Sequence, residues 1–100
     1  MEQVRPIFYY RPGEQRRRSI KLYDQLNPNA EIAVTSGQWA IYRKDTGELV
    51  DSGACTVVDQ DTLTWMLRVD DPGVYCLEVT AYVGSEELKP KAEVICDDCH

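Results

Sequence analysis

The sequence predicts an all-β domain built as a sandwich of seven to eight short antiparallel strands, and three observations predict it. Apolar residues alternate with a period of two through most of the chain. No stretch of helical length carries apolar side chains at three-and-four spacing. Clusters of Gly, Pro, Asn and Asp separate the alternating runs, which is the punctuation of packed antiparallel sheets. One hundred residues suffice for one core and are too few for two. Residues 1–100 therefore read as one domain, with 1–16 as an amino-terminal strand or arm and 97–100 as a short tail. Hydrophobic residues make up 43% and charged residues 28%, far from the compositions that stay disordered.

The first run spans Val4 to Tyr10 and stops at Arg11-Pro12-Gly13, where proline and glycine favour a turn and interrupt ladder pairing. The second, Arg17 to Asp24, places Ile20 and Leu22 on one face, and Asn27-Pro28-Asn29 reads as a loop. Glu31 to Lys44 is long and β-rich, with Gly37 expected to mark a bulge or bend before Trp39 and Ile41. Asp45-Thr46-Gly47-Glu48 leads into Leu49-Val50, which Ser52-Gly53 should break; Ala54 to Val58 follows and ends at Asp59-Gln60-Asp61. From Thr62 to Val69, Leu63, Trp65 and Leu67 alternate with Thr62, Thr64, Met66 and Arg68, the pattern of a half-buried strand. Val74 to Val83 puts Tyr75, Leu77, Val79, Ala81 and Val83 on one side. Gly84-Ser85 fits a two-residue hairpin turn into a final strand from Glu87 to Cys96.

The net charge of −6 conceals an asymmetry. Residues 1–22 hold six basic and two acidic side chains, and the remaining 78 hold five basic and fifteen acidic ones. An acidic body repels DNA and anionic lipid, so neither readout of nucleic-acid bases nor membrane attachment is expected. The basic strip of Arg5, Arg11, Arg16, Arg17 and Arg18 suits an acidic neighbour, a second copy of the chain included. The plainer reading is an edge strand charged against aggregation. The early apolar run Ile7-Phe8-Tyr9-Tyr10 is too short for a signal-peptide core or a membrane span, so synthesis in the cytoplasm is expected, with Cys55, Cys76, Cys96 and Cys99 reduced.

Enzymatic chemistry is not expected. The single histidine, His100, is the last residue, a poor place to preorganise a base, and Asp45, Asp59, Asp61, Asp70 and Asp71 fall where turn chemistry explains them. Cys96-Asp97-Asp98-Cys99-His100 has the Cys-x-x-Cys-His spacing of covalent haem attachment, but no distal ligand is evident and no chain follows the motif. Cys96, Cys99 and His100 could supply three zinc ligands, with a fourth from another chain. The expectation is no cofactor, and a frayed acidic tail. Trp39, Trp65 and Tyr75 fall on inferred core faces. Phe8, Tyr9 and Tyr10 must expose at least one ring if they form a strand, which makes Tyr9 a candidate for a partner contact.

Asp71-Pro72-Gly73-Val74-Tyr75 resembles the tyrosine corner of immunoglobulin-like domains, in which the tyrosine hydroxyl bonds back to nearby backbone. Trp39 falls where such domains bury a tryptophan on the third strand. The chain departs from the antibody pattern: Leu77 occupies the cysteine site and Cys76 is one residue off it. The resemblance therefore implies a disulfide-free relative with Cys76 pointing away from the core. The segments Trp39-Ala40-Ile41-Tyr42-Arg43, Gly47-Glu48-Leu49-Val50-Asp51-Ser52-Gly53, Gly73-Val74-Tyr75, Gly84-Ser85 and Glu87-Leu88-Lys89 further resemble small immunoglobulin-like structural proteins of tailed bacteriophages and prophages. That resemblance implies a virion location and a role in capsid decoration, head-to-tail joining or the tail. Its partners would be other virion proteins or further copies, reached through Arg16, Arg17 and Arg18 in an oligomeric assembly. The alternative is a bacterial immunoglobulin-like adhesion module that recognises a protein or glycan.

Overall fold

The computed structural model describes residues 6–22 and 33–97. Among the described residues nine strands run in chain order: β1 (Ile7–Tyr10), β2 (Glu14–Lys21), β3 (Ser36–Arg43), β4 (Leu49–Ala54), β5 (Thr56–Val58), β6 (Thr62–Val69), β7 (Gly73–Val83), β8 (Glu86–Leu88) and β9 (Lys91–Cys96). One sheet has the order β1-β9-β7-β3-β4, with β8 also paired to β7, and the other has the order β2-β6-β5.

The period-two pattern builds the core. Leu63, Trp65, Leu67 and Val69 on β6 face Tyr75, Leu77, Val79 and Ala81 on β7, joined by Trp39 and Ile41 from β3 and by Ala92, Val94 and Cys96 from β9. Each large apolar side chain so buried contributes about 1.5–3 kcal/mol relative to exposure. Cys76 sits between inward Tyr75 and Leu77 and faces outward, as the alternation requires.

The tyrosine corner forms. Tyr75 is 1% exposed, and its hydroxyl donates to the Asp71 carbonyl at 2.5 Å. Gly73 holds φ +150°, a region that side-chain-bearing residues rarely adopt, which accounts for glycine two residues before the tyrosine. Arg43 completes the corner, its guanidinium 5.5 Å from the Tyr75 ring centroid and 3.6 Å from an Asp71 carboxylate oxygen.

Several boundaries differ from the sequence expectation. The described residues form nine strands, and β1 runs parallel to β9, so the larger sheet is mixed rather than wholly antiparallel. β2 begins at Glu14, because Gly13 and Glu14 are already engaged with Val69. Gly37 is regular strand; the irregularity falls between Ile41 and Tyr42. Glycine is required at 37 because a Cβ there would lie 2.5 Å from Leu63 Cδ1. β4 runs through Ser52-Gly53 to Ala54, since Gly53 pairs with Trp39 and lies under its indole, where a Cβ would come within 3.0 Å of Nε1. The closing strand divides at Pro90, which lacks an N–H for the ladder, and the Pro90 carbonyl accepts from Val79 N–H instead. The Gly84-Ser85 turn forms with Gly84 at φ +60°. Residues 23–32, including the Asn27-Pro28-Asn29 loop and Ile32, lie outside the described residues.

Candidate protein-interaction site

β1 is an edge of the larger sheet and alternates strictly. Phe8 and Tyr10 face inward, and Ile7 and Tyr9 face out, Tyr9 being 67% exposed. Glu93 N–H donates to the Pro6 carbonyl and Asp97 N–H to the Tyr10 carbonyl, so in this parallel ladder the even-numbered residues of β1 bond to β9. The N–H and C=O groups of Ile7 and Tyr9 consequently point away from the sheet. The next outward donor, Arg11 N–H, is capped by Glu14 Oε1 at 3.1 Å. That bond and Arg16, 2.7 Å from Glu14 Oε2, hold the Glu14 carboxyl below its ordinary range.

The three consecutive arginines do not form one strip, because strand alternation sends them to two faces. Arg18 faces inward into the gap between the sheets. Its guanidinium lies 4.3 Å from the Phe8 ring centroid and 4.7 Å from that of Tyr10, and its Nε donates to Tyr10 Oη at 2.8 Å. Burial raises the Tyr10 hydroxyl above its ordinary value, and Arg18 works against that rise. No carboxylate pairs with Arg18 among the described residues. Arg16 shares Arg18's face but is committed to Glu14, whereas Arg17 projects from the outer face of β2 opposite exposed Met66. Arg11 is exposed beside the β1–β2 turn. Arg5, Cys99 and His100 lie outside the described residues. Cys96 is buried with its side chain among the core residues. Cys55 and Cys76 are free thiols.

Outward from Tyr9, the register aligns Ile95 of β9 and Val74 of β7 in one row. The adjoining row runs Ile7, Glu93, Cys76, Tyr42 and Leu49. Ile7, Val74, Leu49 and the neighbouring Val50 are all exposed large hydrophobics. At this end of the face Lys44 Nζ pairs with Glu93 Oε1 at 2.9 Å, and further along it Lys91 Nζ lies 4.0 Å from Glu78 Oε2. One end of the outer face is therefore rich in apolar side chains across the larger sheet, interrupted by the Lys44–Glu93 pair, where a solvated sheet would be mostly polar. Further along the same face, Gln38, Tyr42, Ser52, Glu78 and Thr80 line a shallow concavity of about 330 Å³.

No family model matches the sequence, and no curated protein matches it. Solved structures do resemble the fold. One is an engineered protein from a structural genomics consortium, with a TM-score of 0.69 at 13% identity over 94% of this chain. Another is the pullulanase SAP of Group B Streptococcus, with a TM-score of 0.55 at 15% identity over 89% of this chain. The fold is an immunoglobulin-like β-sandwich. The chain spans 18% and 11% of those two chains, so in each of them this sandwich corresponds to a small part of a longer molecule.

The apolar end combines one residue that sequence reasoning singled out, Tyr9, with Ile7, Val74, Ile95, Tyr42 and Leu49, which it did not. Their signal was present: in β7 and β9 the positions between core residues are apolar at Val74, Cys76 and Ile95, where a solvent-facing pattern calls for polar ones.

Proposed function

We propose that this immunoglobulin-like domain is a non-catalytic assembly module that docks onto a protein partner through the apolar end of its larger sheet, and that it serves in a phage or prophage virion. The observation that carries the docking surface is the row Tyr9, Ile95 and Val74 with Ile7 beside it, in which Tyr9, Val74 and Ile7 are exposed and Ile95 is half-buried, on three paired strands. Exposed aromatic and aliphatic anchors ringed by charge are the composition of interface centres. Support for the virion setting comes from the sequence resemblance of the Trp39 strand, its hairpin and the closing strands. Loss of the anchors tests the surface. Tyr9→Ser combined with Val74→Ser should leave thermal unfolding unchanged within about 0.5 kcal/mol and weaken partner association at least about tenfold, as measured by calorimetry. Immunogold labelling of purified particles tests the setting, and particles without label would defeat it.

A second reading has an observation in its favour. The sandwich also occurs as a small part of a long bacterial chain, the pullulanase SAP, and the concavity beside Trp39 carries polar groups next to an aromatic ring. An accessory module that recognises a glycan there would bind on a glycan array and would lose that binding with Tyr42→Ala, whereas the assembly module would bind none.

A further inference from the structure

We propose that the free edge of β1 accepts an extended, acid-bearing segment of a partner protein as an added strand, with the segment's inward-facing carboxylate pairing with Arg18. This deepens the reading that this end of the sandwich meets a protein partner, and it rests on that reading.

Two independent features converge on the same edge. The first is the backbone. Ile7 and Tyr9 each turn an N–H and a C=O away from β9, and no bond to any of these four groups occurs among the described residues. Proteins ordinarily blunt such edges, and those left open are the sites where an extended peptide adds a strand. The second is Arg18. Its guanidinium lies in the gap between the sheets, over Phe8 and Tyr10, and pairs with no carboxylate among the described residues. A cation in this half-buried position gains from a carboxylate more than one in open water does. An added strand alternates as β1 does, so its residues beside Ile7 and Tyr9 lie on the outer face. The residue beside Phe8 points inward, toward the guanidinium. Backbone and charge thus select one ligand: a short extended segment with an acidic residue flanked by residues of high β propensity.

Copies of the same chain fit this edge poorly. Two β1 strands meeting about a two-fold axis would set Arg18 and Arg11 of one copy close to those of the other. The opposite edge of the sheet, β4, has its outward Ser52 N–H already engaged by Asp51 Oδ1 at 2.8 Å.

The probe is the blocked peptide Thr-Val-Thr-Glu-Thr-Val-Thr, compared with its twin carrying Gln in place of Glu, with binding followed by calorimetry and by amide hydrogen exchange. The Glu peptide is expected to bind and to protect the Ile7 and Tyr9 amides, and the Gln twin to bind at least tenfold more weakly. Tyr9→Pro removes an outward N–H but leaves the β9 ladder intact, and it should abolish binding; Tyr9→Ala keeps that N–H and should retain affinity within about threefold. Protection of Ile7 and Tyr9 in the unaltered protein reports strand addition even if the proline variant unfolds. Equal binding of the two peptides, or absence of protection at those amides, overturns the proposal. Equal loss from Tyr9→Ala and Tyr9→Pro also overturns it, because the contact would then be packing on the outer face, which leaves the docking surface standing. Natural association that survives Tyr9→Ser with Val74→Ser, while the Glu peptide still adds at β1, removes the docking surface and supports the edge.

Discussion

The two outer strands of the larger sheet meet the same hazard, a row of unpaired backbone groups, in opposite ways. At β4 the bonded pair of Cys55 and Gly37 sets the alternation, so Ser52 presents its N–H to the edge, and the neighbouring Asp51 side chain caps it. The irregular register after Ile41 twists the same strand away from a regular template, and the chain then leaves for the other sheet as β5. At β1 only the last outward donor, Arg11 N–H, is capped. Ile7 and Tyr9 remain open, under a guanidinium that lacks a carboxylate. A sheet that needed only to avoid aggregation would blunt both sides. The difference is one of degree: at β4 the cap covers Ser52 but not Ala54, whose N–H faces the same edge, whereas at β1 neither Ile7 nor Tyr9 is capped.

The difference can be broken most forcefully from the β4 side. Gly53→Val would drive a side chain into the Trp39 indole, where even a Cβ lies 3.0–3.2 Å from three ring atoms. Overpacking of this kind costs about 1–3 kcal/mol. The expected result is a lowered denaturation midpoint in urea together with faster exchange of the β4 amides, while the Phe8 and Tyr10 amides that bond to β9 keep their protection. Loss of protection at both edges would mean that the two sides are not independent.

That coupling of Gly53 to Trp39 also marks how far the sequence could be read. The tyrosine corner, the tryptophan strand and the inward sets of β6 and β7 were all legible, because strand alternation and turn chemistry act locally. The continuation of β4 through Ser52-Gly53 was not, because it depends on an indole fourteen residues away in sequence. The parallel pairing of β1 with β9 is likewise a long-range outcome that no local pattern encodes. The arginines are a different case. Period-two alternation already separates Arg17 from Arg16 and Arg18, yet their shared charge suggests a single strip. Only the structure reveals that Phe8 and Tyr10 hold Arg18 while Arg17 points the other way.

Alkali should separate the two edges by pH. Burial pushes the Cys55 thiol, at the β4–β5 crossing, up to about 11 from an ordinary 9.0. Burial also raises Tyr10 above 10.0, at β1. In both groups the folded state favours the protonated form, so the unfolded chain loses its proton first as pH rises. Stability is thus fully present below the unfolded values and declines above them, up to the folded ones. Cys55 acts first, from about pH 9, with an upper bound of about 2.7 kcal/mol that its partial exposure reduces. Tyr10 adds its share only above pH 10. In urea titrations, Cys55→Ala should flatten the decline between pH 9 and 10 and make it shallower up to about pH 11; an unaltered early decline would show that the thiol is not its source.

The smallest expected effect on stability gives the sharpest test of the comparison. Asp51→Ala removes only the cap on Ser52 N–H at a solvent-exposed edge, and such changes lie within about 0.5 kcal/mol. Its consequence for association should be larger. With the cap gone, the β4 edge of one copy offers two successive outward donors, Ser52 and Ala54, to the β1 edge of the next. The charge asymmetry helps, since Arg11 and Arg18 of one molecule would approach Asp45 and Glu48 of the other. Such contacts join unlike surfaces, so they repeat head to tail and do not stop at a pair. Sedimentation velocity should therefore show Asp51→Ala forming species beyond the dimer as its concentration rises, and adding Tyr9→Pro in the same chain should abolish them. A variant whose sedimentation matches the unaltered protein at every concentration would show that Asp51 does not guard the edge. The register break in β4 would then be the only feature closing that side of the sheet.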